Sequence, residues 1–471
     1  KEDPVQPKNP VAFHYKPTVT IANLVSQGMN KQDIMDNNTI KSIMEKSFYH
    51  LENVGYRMDY TRACHALSQY GCTWDNTSNM VKFPQESIYR AIEHFQSKEK
   101  TKTPSVLLAG SCRQRLLEWE KKLTREGGIE DAKKIIQLFN FLPSVDFSSC
   151  GIYPLDVPKD AVDLVNTALL CKYSAKPFIQ EIYSLDSAKL ILEMLRILQG
   201  SKQEKINKMV CIMRSSSMQY KKIPLQLAEL WHQEEYPIWI TSSFITQNAQ
   251  YYPTLCQVLC EWLAGIVYIA SLGGNSPCLL HWDSCNVYNE NSLFFSPEQA
   301  KIALGLQQIS QTLGFPCFAN LGPNLSWWDF QTGWEKGCAG VFSYIQQSSW
   351  ASYAGILGED FSPEQLVLDN FIANIIKKWQ EKMQNSMETM PVEKLCEMAR
   401  QRVFPGKKHE ALELSGLLGD SFYKEKEDIL GTIHRHIKQI FEEQNHPCLL
   451  SYDIEKEIER LVQIRYEQLG V

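Results

Sequence analysis

A chain of 471 residues exceeds the roughly 250–300 residues that one compact core usually holds, but it suits a barrel of about 250 residues with extensions at both ends. Hydrophobic residues make up 44% and charged residues 22%, as in ordinary globular proteins, and a net charge of −6 leaves no basic excess for a nucleic-acid surface. No apolar run reaches the ~18–20 residues of a membrane span; the longest, Trp262 to Leu272, contains Gly265 and Tyr268.

Residues 1–35 are expected to form a poorly ordered arm, polar and proline-containing as far as Pro17, with no signal-peptide core. Residues 36–140 form a predicted helical region packed on the rest. Asn38-Thr39 can cap a helix from Ile40 to Asn53, with Ile43, Met44, Phe48 and Leu51 on one side. Tyr60 to Tyr70 makes a second helix and Pro84 starts a third. No strand signal precedes Val106-Leu107-Leu108.

From Val145 onward, short β-rich runs recur, each followed by a segment of helical period. The runs are Val145–Gly151, Pro177–Ile182, Lys208–Arg214, Pro237–Ser242, Pro277–Trp282, Pro316–Leu321 and Gly340–Ile345. Four begin with proline, which suits the first residue of a strand and not its centre. Repeated strand–helix alternation without a nucleotide-binding glycine turn predicts an α/β fold of the TIM type, a (β/α)8 barrel over residues 141–410. Arg402 to Pro405 is the candidate eighth strand. Residues 411–471 form a helical tail, broken near His446-Pro447.

The 14 cysteines form no CxxC pair and read as reduced core residues of a cytoplasmic protein. His434 and His436 lie in a helix rich in Lys and Glu, the pattern of a solvated face, and no metal site is expected. There is no GxGxxG, P-loop or HExxH.

In a barrel of this type the active site lies at the C-terminal ends of the strands. Those ends carry Tyr153, Glu181, Arg214, His281 and Asn320, with Tyr344 at the end of the seventh run. Eleven tryptophans are many for this length, and Trp282, Trp327 and Trp328 fall at or beyond strand ends. Aromatic faces hold quaternary ammonium groups, each desolvated contact contributing roughly 2 kcal/mol. The same rings could instead pack helices onto the barrel. Glu181 is either a pocket carboxylate or the partner of an arginine. Arg214 and His281 could hold a substrate carboxylate; the alternatives are a strand-end ion pair and a satisfied structural histidine. Arg113 and Arg115, in a polar segment, are expected at solvent.

Three stretches carry a family resemblance. Glu261-Trp262-Leu263-Ala264-Gly265-Ile266-Val267, Asp329-Phe330-Gln331-Thr332-Gly333-Trp334-Glu335-Lys336, and Gly355-Ile356-Leu357 followed by Ser362-Pro363-Glu364-Gln365-Leu366-Val367-Leu368-Asp369-Asn370 resemble segments of the trimethylamine methyltransferase family, in order. The resemblance covers residues 36–400. It implies an eight-stranded barrel that moves a methyl group from a methylated amine to the Co(I) of a corrinoid (cobalamin) carried by a partner protein. It also marks Asp329 and Gln331 as catalytic candidates beside Glu181, and implies a homo-oligomer. Trimethylamine enzymes of the family carry pyrrolysine, whereas this chain shows only standard residues. It therefore resembles the pyrrolysine-free branch, whose substrates are quaternary amines such as glycine betaine. Two other readings stand beside it: a barrel that binds methylated amines without catalysis, and an unrelated lyase or hydrolase using Glu181 and His281 as acid and base.

Overall fold

The computed structural model describes residues 34–96, 109–200, 211–216, 218–243, 250–283, 297–319, 327–345, 349–350, 353–385, 429–443 and 448–471. The arm 1–33, Val106–Leu108, Asn320, the candidate strand Arg402–Pro405 and the helix break at 446–447 lie outside the described residues.

The N-terminal region runs α1 (Asn37–Asn53), β1 (Tyr56–Met58), α2 (Thr61–Gln69), β2 (Thr73–Asp75), β3 (Met80–Lys82) and α3 (Gln85–Gln96). The cap of α1 is Asp36, whose Oδ1 accepts from Thr39 N at 2.7 Å, upstream of the predicted Asn38-Thr39. Ile43, Met44, Phe48 and Leu51 are buried on one face, as their spacing predicts. The all-helical expectation for this region is corrected by the three short strands. Each has only three residues, too few to establish an alternating pattern.

Next come β4 (Ala109–Gly110), β5 (Arg115–Glu118), β6 (Leu123–Glu126) and α4 (Ile129–Asn140), then α5 (Val162–Tyr173) and α6 (Leu185–Gly200). Strand–helix alternation continues through β7 (Cys211–Arg214), β8 (Gln219–Tyr220), α7 (Lys222–Gln233), β9 (Ile238–Ser243), α8 (Tyr251–Ser271), β10 (Cys278–Asp283), α9 (Pro297–Leu313), β11 (Cys317–Ala319) and α10 (Phe330–Ile345). The chain goes on through β12 (Ser349–Trp350), β13 (Tyr353–Ala354), β14 (Ile356–Leu357), β15 (Asp360–Phe361) and α11 (Pro363–Asn385), and the tail holds α12 (Ile429–Glu443) and α13 (Tyr452–Leu469).

The centre is a five-stranded parallel sheet in the order β12-β11-β10-β9-β7. Its strand-initial prolines act as their chemistry requires. They give no N–H to a ladder, but their carbonyls accept from the neighbouring strand: Cys211 N from β7 to Pro237 O (3.1 Å), Ile238 N to Pro277 O (2.9 Å) and Leu280 N to Pro316 O (2.9 Å). Pro177 O accepts likewise from Ser148 N at 2.9 Å. The first two expected strands are reduced to an isolated parallel bridge between Ser148 and Phe178. β4 pairs in parallel with β13, and Gly110 N donates to Phe147 O at 3.0 Å. Among the described residues these ladders do not close into a barrel; they define a mixed α/β fold around a parallel sheet.

The seventh predicted strand, Gly340–Ile345, is overturned: it is the last part of α10. The run is apolar and aromatic like a short buried strand, and periodicity alone cannot separate the two. The strand that follows β11 is β12, with Phe318 paired to Ser349.

By length and composition α8 could cross a membrane, yet most of it, Val258 to Ala270 throughout, is buried inside the protein, so it is a core helix. At Gly265 a Cβ would stand 2.6 Å from Ile240 Cγ2 and 2.8 Å from both Met213 Cε and the Tyr220 hydroxyl. The helix thus lies directly on β7 and β9. Gly265→Ala is expected to destabilise by about 1–3 kcal/mol through overpacking, despite alanine's better helix propensity. Chemical denaturation is the check, and a gain in stability would show that the sheet yields.

The two later motif segments meet inside the protein. Lys336 on α10 and Asp369 on α11 are both fully buried and lie 2.5 Å apart, Nζ to Oδ2. Asp369 also accepts from Gly355 N and Gln365 Nε2, each at 2.8 Å. Burial pulls the Lys336 ammonium down and pushes the Asp369 carboxyl up, while each partner's charge opposes that shift. Gly355 sits at φ 82°, and a Cβ there would meet the Phe361 ring at 2.5 Å. Ser362 caps α11 by accepting from Gln365 N at 3.0 Å, with Pro363 in the first turn.

Arg115 is exposed, as expected, and Arg113 is only partly so, and both are held by contacts. Arg113 Nε donates to Gly358 O at 3.1 Å, and Arg115 pairs with the buried Asp360 at 2.7 Å. His434 is likewise tied down: Nδ1 lies 2.8 Å from Glu364 and Nε2 3.2 Å from Glu120. The hydrogen bond with Glu364 leads in holding its imidazole above the ordinary value of 6.5. A raised folded pKa means that the contact is fully stabilising below pH 6.5 and is lost as pH climbs through the raised value. Hydrogen exchange across Ile429–Glu443, corrected for intrinsic rate, should therefore speed up over that rise. His434→Ala should remove the difference.

Candidate active site

Register places one row of side chains on a single face of the sheet. Ile212, Trp239 and Leu279 are direct cross-strand partners and cluster with Ile179. Two residues further along, toward the C-terminal strand ends, Arg214, Thr241 and His281 are again direct partners. Side chains two apart on a strand share a face. An apolar layer thus lies beneath a polar row, and Glu181 joins that row through its 3.1 Å contact with Arg214 Nε. Met213, Ile240 and Ser242 point the other way, toward α8.

Glu181 and Arg214 are each 30% exposed, so that end of the row is reachable from solvent, while Thr241 is buried. Tyr183 OH donates to Glu181 Oε2 at 3.3 Å and lies 2.9 Å from Tyr153 OH. Asp163 Oδ2 accepts from Tyr183 N at 2.9 Å, which anchors the segment after Glu181. Desolvation leads in raising both phenols, with the Glu181 charge adding to it. This holds for Tyr183 even though about half of its side chain is open to solvent. Both hydroxyls therefore stay protonated at neutral pH. His281 is almost fully buried; Nδ1 is 3.2 Å from Thr241 Oγ1, and its ring centroid is 5.0 Å from that of Trp239. Its backbone carbonyl accepts from Trp262 Nε1 at 3.0 Å.

Behind the row, on the helix side, Glu261 of α8 is fully buried. It accepts from Ser242 Oγ (2.6 Å), Met218 N (3.2 Å), Gln257 Nε2 (3.0 Å) and Ser215 Oγ. Sequence reasoning missed this carboxylate as a site residue, and it missed Trp239. The available signal for Glu261 was a lone acid in an apolar helix, costly to bury unless bound.

The candidates named from the sequence divide. Glu181, Arg214, His281 and Tyr153 come together. Trp282 does not join them: it shares the helix-facing side with Leu280 and is buried in the main core. Trp328 packs with Leu117, Leu357 and Trp119, its ring 5.1 Å from Trp119 and 5.1 Å from the half-exposed Trp327. Asp329 caps α10, its Oδ1 accepting from Thr332 N at 2.8 Å. Gln331 donates to Glu335 Oε1 at 2.7 Å within the same helix. Tyr344 lies in α10 and not at the end of a strand.

A family model described as trimethylamine methyltransferase (MTTB) matches residues 12–415. The trimethylamine methyltransferase MttB of Methanosarcina thermophila is 22% identical over 405 residues, covering 77% of this chain and 81% of its own. MttB2 of Methanosarcina mazei is 23% identical over 423 residues, covering 81% and 82%. Among solved structures, the Methanosarcina barkeri monomethylamine methyltransferase (MtmB) superposes with a TM-score of 0.51 at 11% identity, covering 94% of this chain and 92% of that one. At that identity the likeness speaks for fold alone. With a family model spanning most of its length, the chain belongs to the trimethylamine methyltransferase family.

Proposed function

We propose that this chain takes a methyl group from a quaternary amine, glycine betaine being the reference substrate, and passes it to the Co(I) of a corrinoid bound to a partner protein. Family membership supports the reaction class. The observation that carries the reading is the row of Glu181, Arg214, Thr241 and His281 above an apolar floor, open to solvent at its Glu181–Arg214 end and buried at Thr241 and His281. In the same reading the parallel strands close into a (β/α)8 barrel. The parallel pairing of β4 with β13 and its hydrogen bond to Phe147 support closure.

A quaternary amine leaves as a neutral tertiary amine, so no general acid is required. The residues need only bind the cation, exclude water and align it. Glu181 supplies the counter-charge, and Tyr183 and Tyr153 offer ring faces and protonated hydroxyls beside it. Arg214 holds a substrate carboxylate through its fork. Trp239, Ile212, Leu279 and Ile179 keep the floor dry. When docked, the corrinoid supplies the nucleophile that receives the methyl group.

The test mixes the protein with reduced cobalamin and, in turn, glycine betaine, carnitine, choline and trimethylamine. The expected result is loss of the reduced-cobalamin absorbance together with release of the demethylated amine. Tight calorimetric binding without turnover of any of these amines would replace the reading with that of a binding protein.

A further inference from the structure

Among the described residues Glu261 has no basic side chain as a hydrogen-bond partner; its donors are neutral. Ser215 Oγ, Ser242 Oγ, Met218 N and Gln257 Nε2 all donate to it, so both carboxylate oxygens act as acceptors. Two of those donors stand next to members of the polar row: Ser215 follows Arg214, and Ser242 follows Thr241. Successive strand residues face opposite ways. Glu261 therefore grips from behind the two strand ends that present Arg214 and Thr241 in front. Met218 N ties in the segment between β7 and β8, and Tyr220 OH donates to the Glu261 carbonyl at 2.9 Å. A buried carboxylate is an expensive way to fill space in an apolar helix, and its cost is understandable if the strand ends must be held to close tolerance.

We propose that Glu261 is a positioning residue for methyl transfer: it sets the spacing of Arg214 and Thr241 and, through Thr241, the orientation of His281. This rests on the methyl-transfer reading above. An amide at this position would turn an NH2 group toward donors and lose part of the grip without changing volume. In Glu261→Gln, kcat should fall at least about tenfold while KM stays within about twofold, because misalignment is felt in the transition state more than in binding.

The experiment measures steady-state methyl transfer from glycine betaine to reduced cobalamin, with the thermal midpoint followed alongside. A folded Glu261→Gln protein with wild-type kcat overturns the role, as does a raised KM with unchanged kcat. If that variant fails to fold, Ser215→Ala/Ser242→Ala keeps the carboxylate and removes two donors. A several-fold fall in kcat at constant KM is then expected, and an unchanged kcat overturns the role. A wild-type protein that turns over no amine refutes the methyl-transfer reading and the role with it, whereas wild-type turnover with unimpaired variants refutes the role alone.

Discussion

Lys336→Met is expected to cost about 3–5 kcal/mol of stability, the range for breaking a buried ion pair by removing one partner. The reason is what remains. Asp369 would keep its contacts with Gly355 N and Gln365 Nε2, but its charge would sit fully buried with the cation gone. The double variant Lys336→Met/Asp369→Asn should recover most of the loss. Asparagine still offers an acceptor to Gly355 N and carries no charge. Chemical denaturation of the two variants beside the wild type measures both effects. A single variant within about 1 kcal/mol of wild type would mean that water or rearrangement reaches the site. Since the pair joins α10 to α11, the single variant should also loosen the 353–361 turn region that Asp369 holds through Gly355.

Arg214→Gln should change substrate preference more than overall activity. A charge-assisted hydrogen bond to a carboxylate is worth about 1.5–3 kcal/mol, or roughly 10–100-fold in affinity. KM for glycine betaine should rise by that factor. KM for choline, a cation without a carboxylate, should hold or fall, because Glu181 would lose the guanidinium that now offsets its charge. Steady-state kinetics on both amines separates the two roles the sequence left open for Arg214. Equal increases in KM for the two amines would mark the Glu181–Arg214 contact as a structural ion pair.

The sequence made the parallel strands legible because their prolines and β-branched runs punctuate the chain: β7 and β11 fall within the predicted runs, and β9 and β10 overrun theirs by one residue each. It failed where length or period gave no information. β1, β2 and β3 are too short to alternate, and the apolar end of α10 imitates a strand. At the site, residue type pointed to Glu181, Arg214 and His281, but register decided which aromatics stand near them. Trp239 and Trp282 differ by one step of the pleat relative to their neighbours, so one floors the polar row while the other joins the core. That parity is invisible until the strands are paired.

The strand-initial prolines have a consequence for how the polar row is assembled. Pro177 precedes Glu181, Pro237 precedes Thr241 and Pro277 precedes His281 by the same interval along the chain. Each proline can take only the first rung, since one place further into the ladder it would lack the proton the neighbour needs. A strand that slid by one position would forfeit that rung and turn its polar residue to the helix side. The prolines thus act as a common zero mark at the far rim of the sheet. They cancel cumulative error between strands, so that charges contributed by separate repeats arrive level.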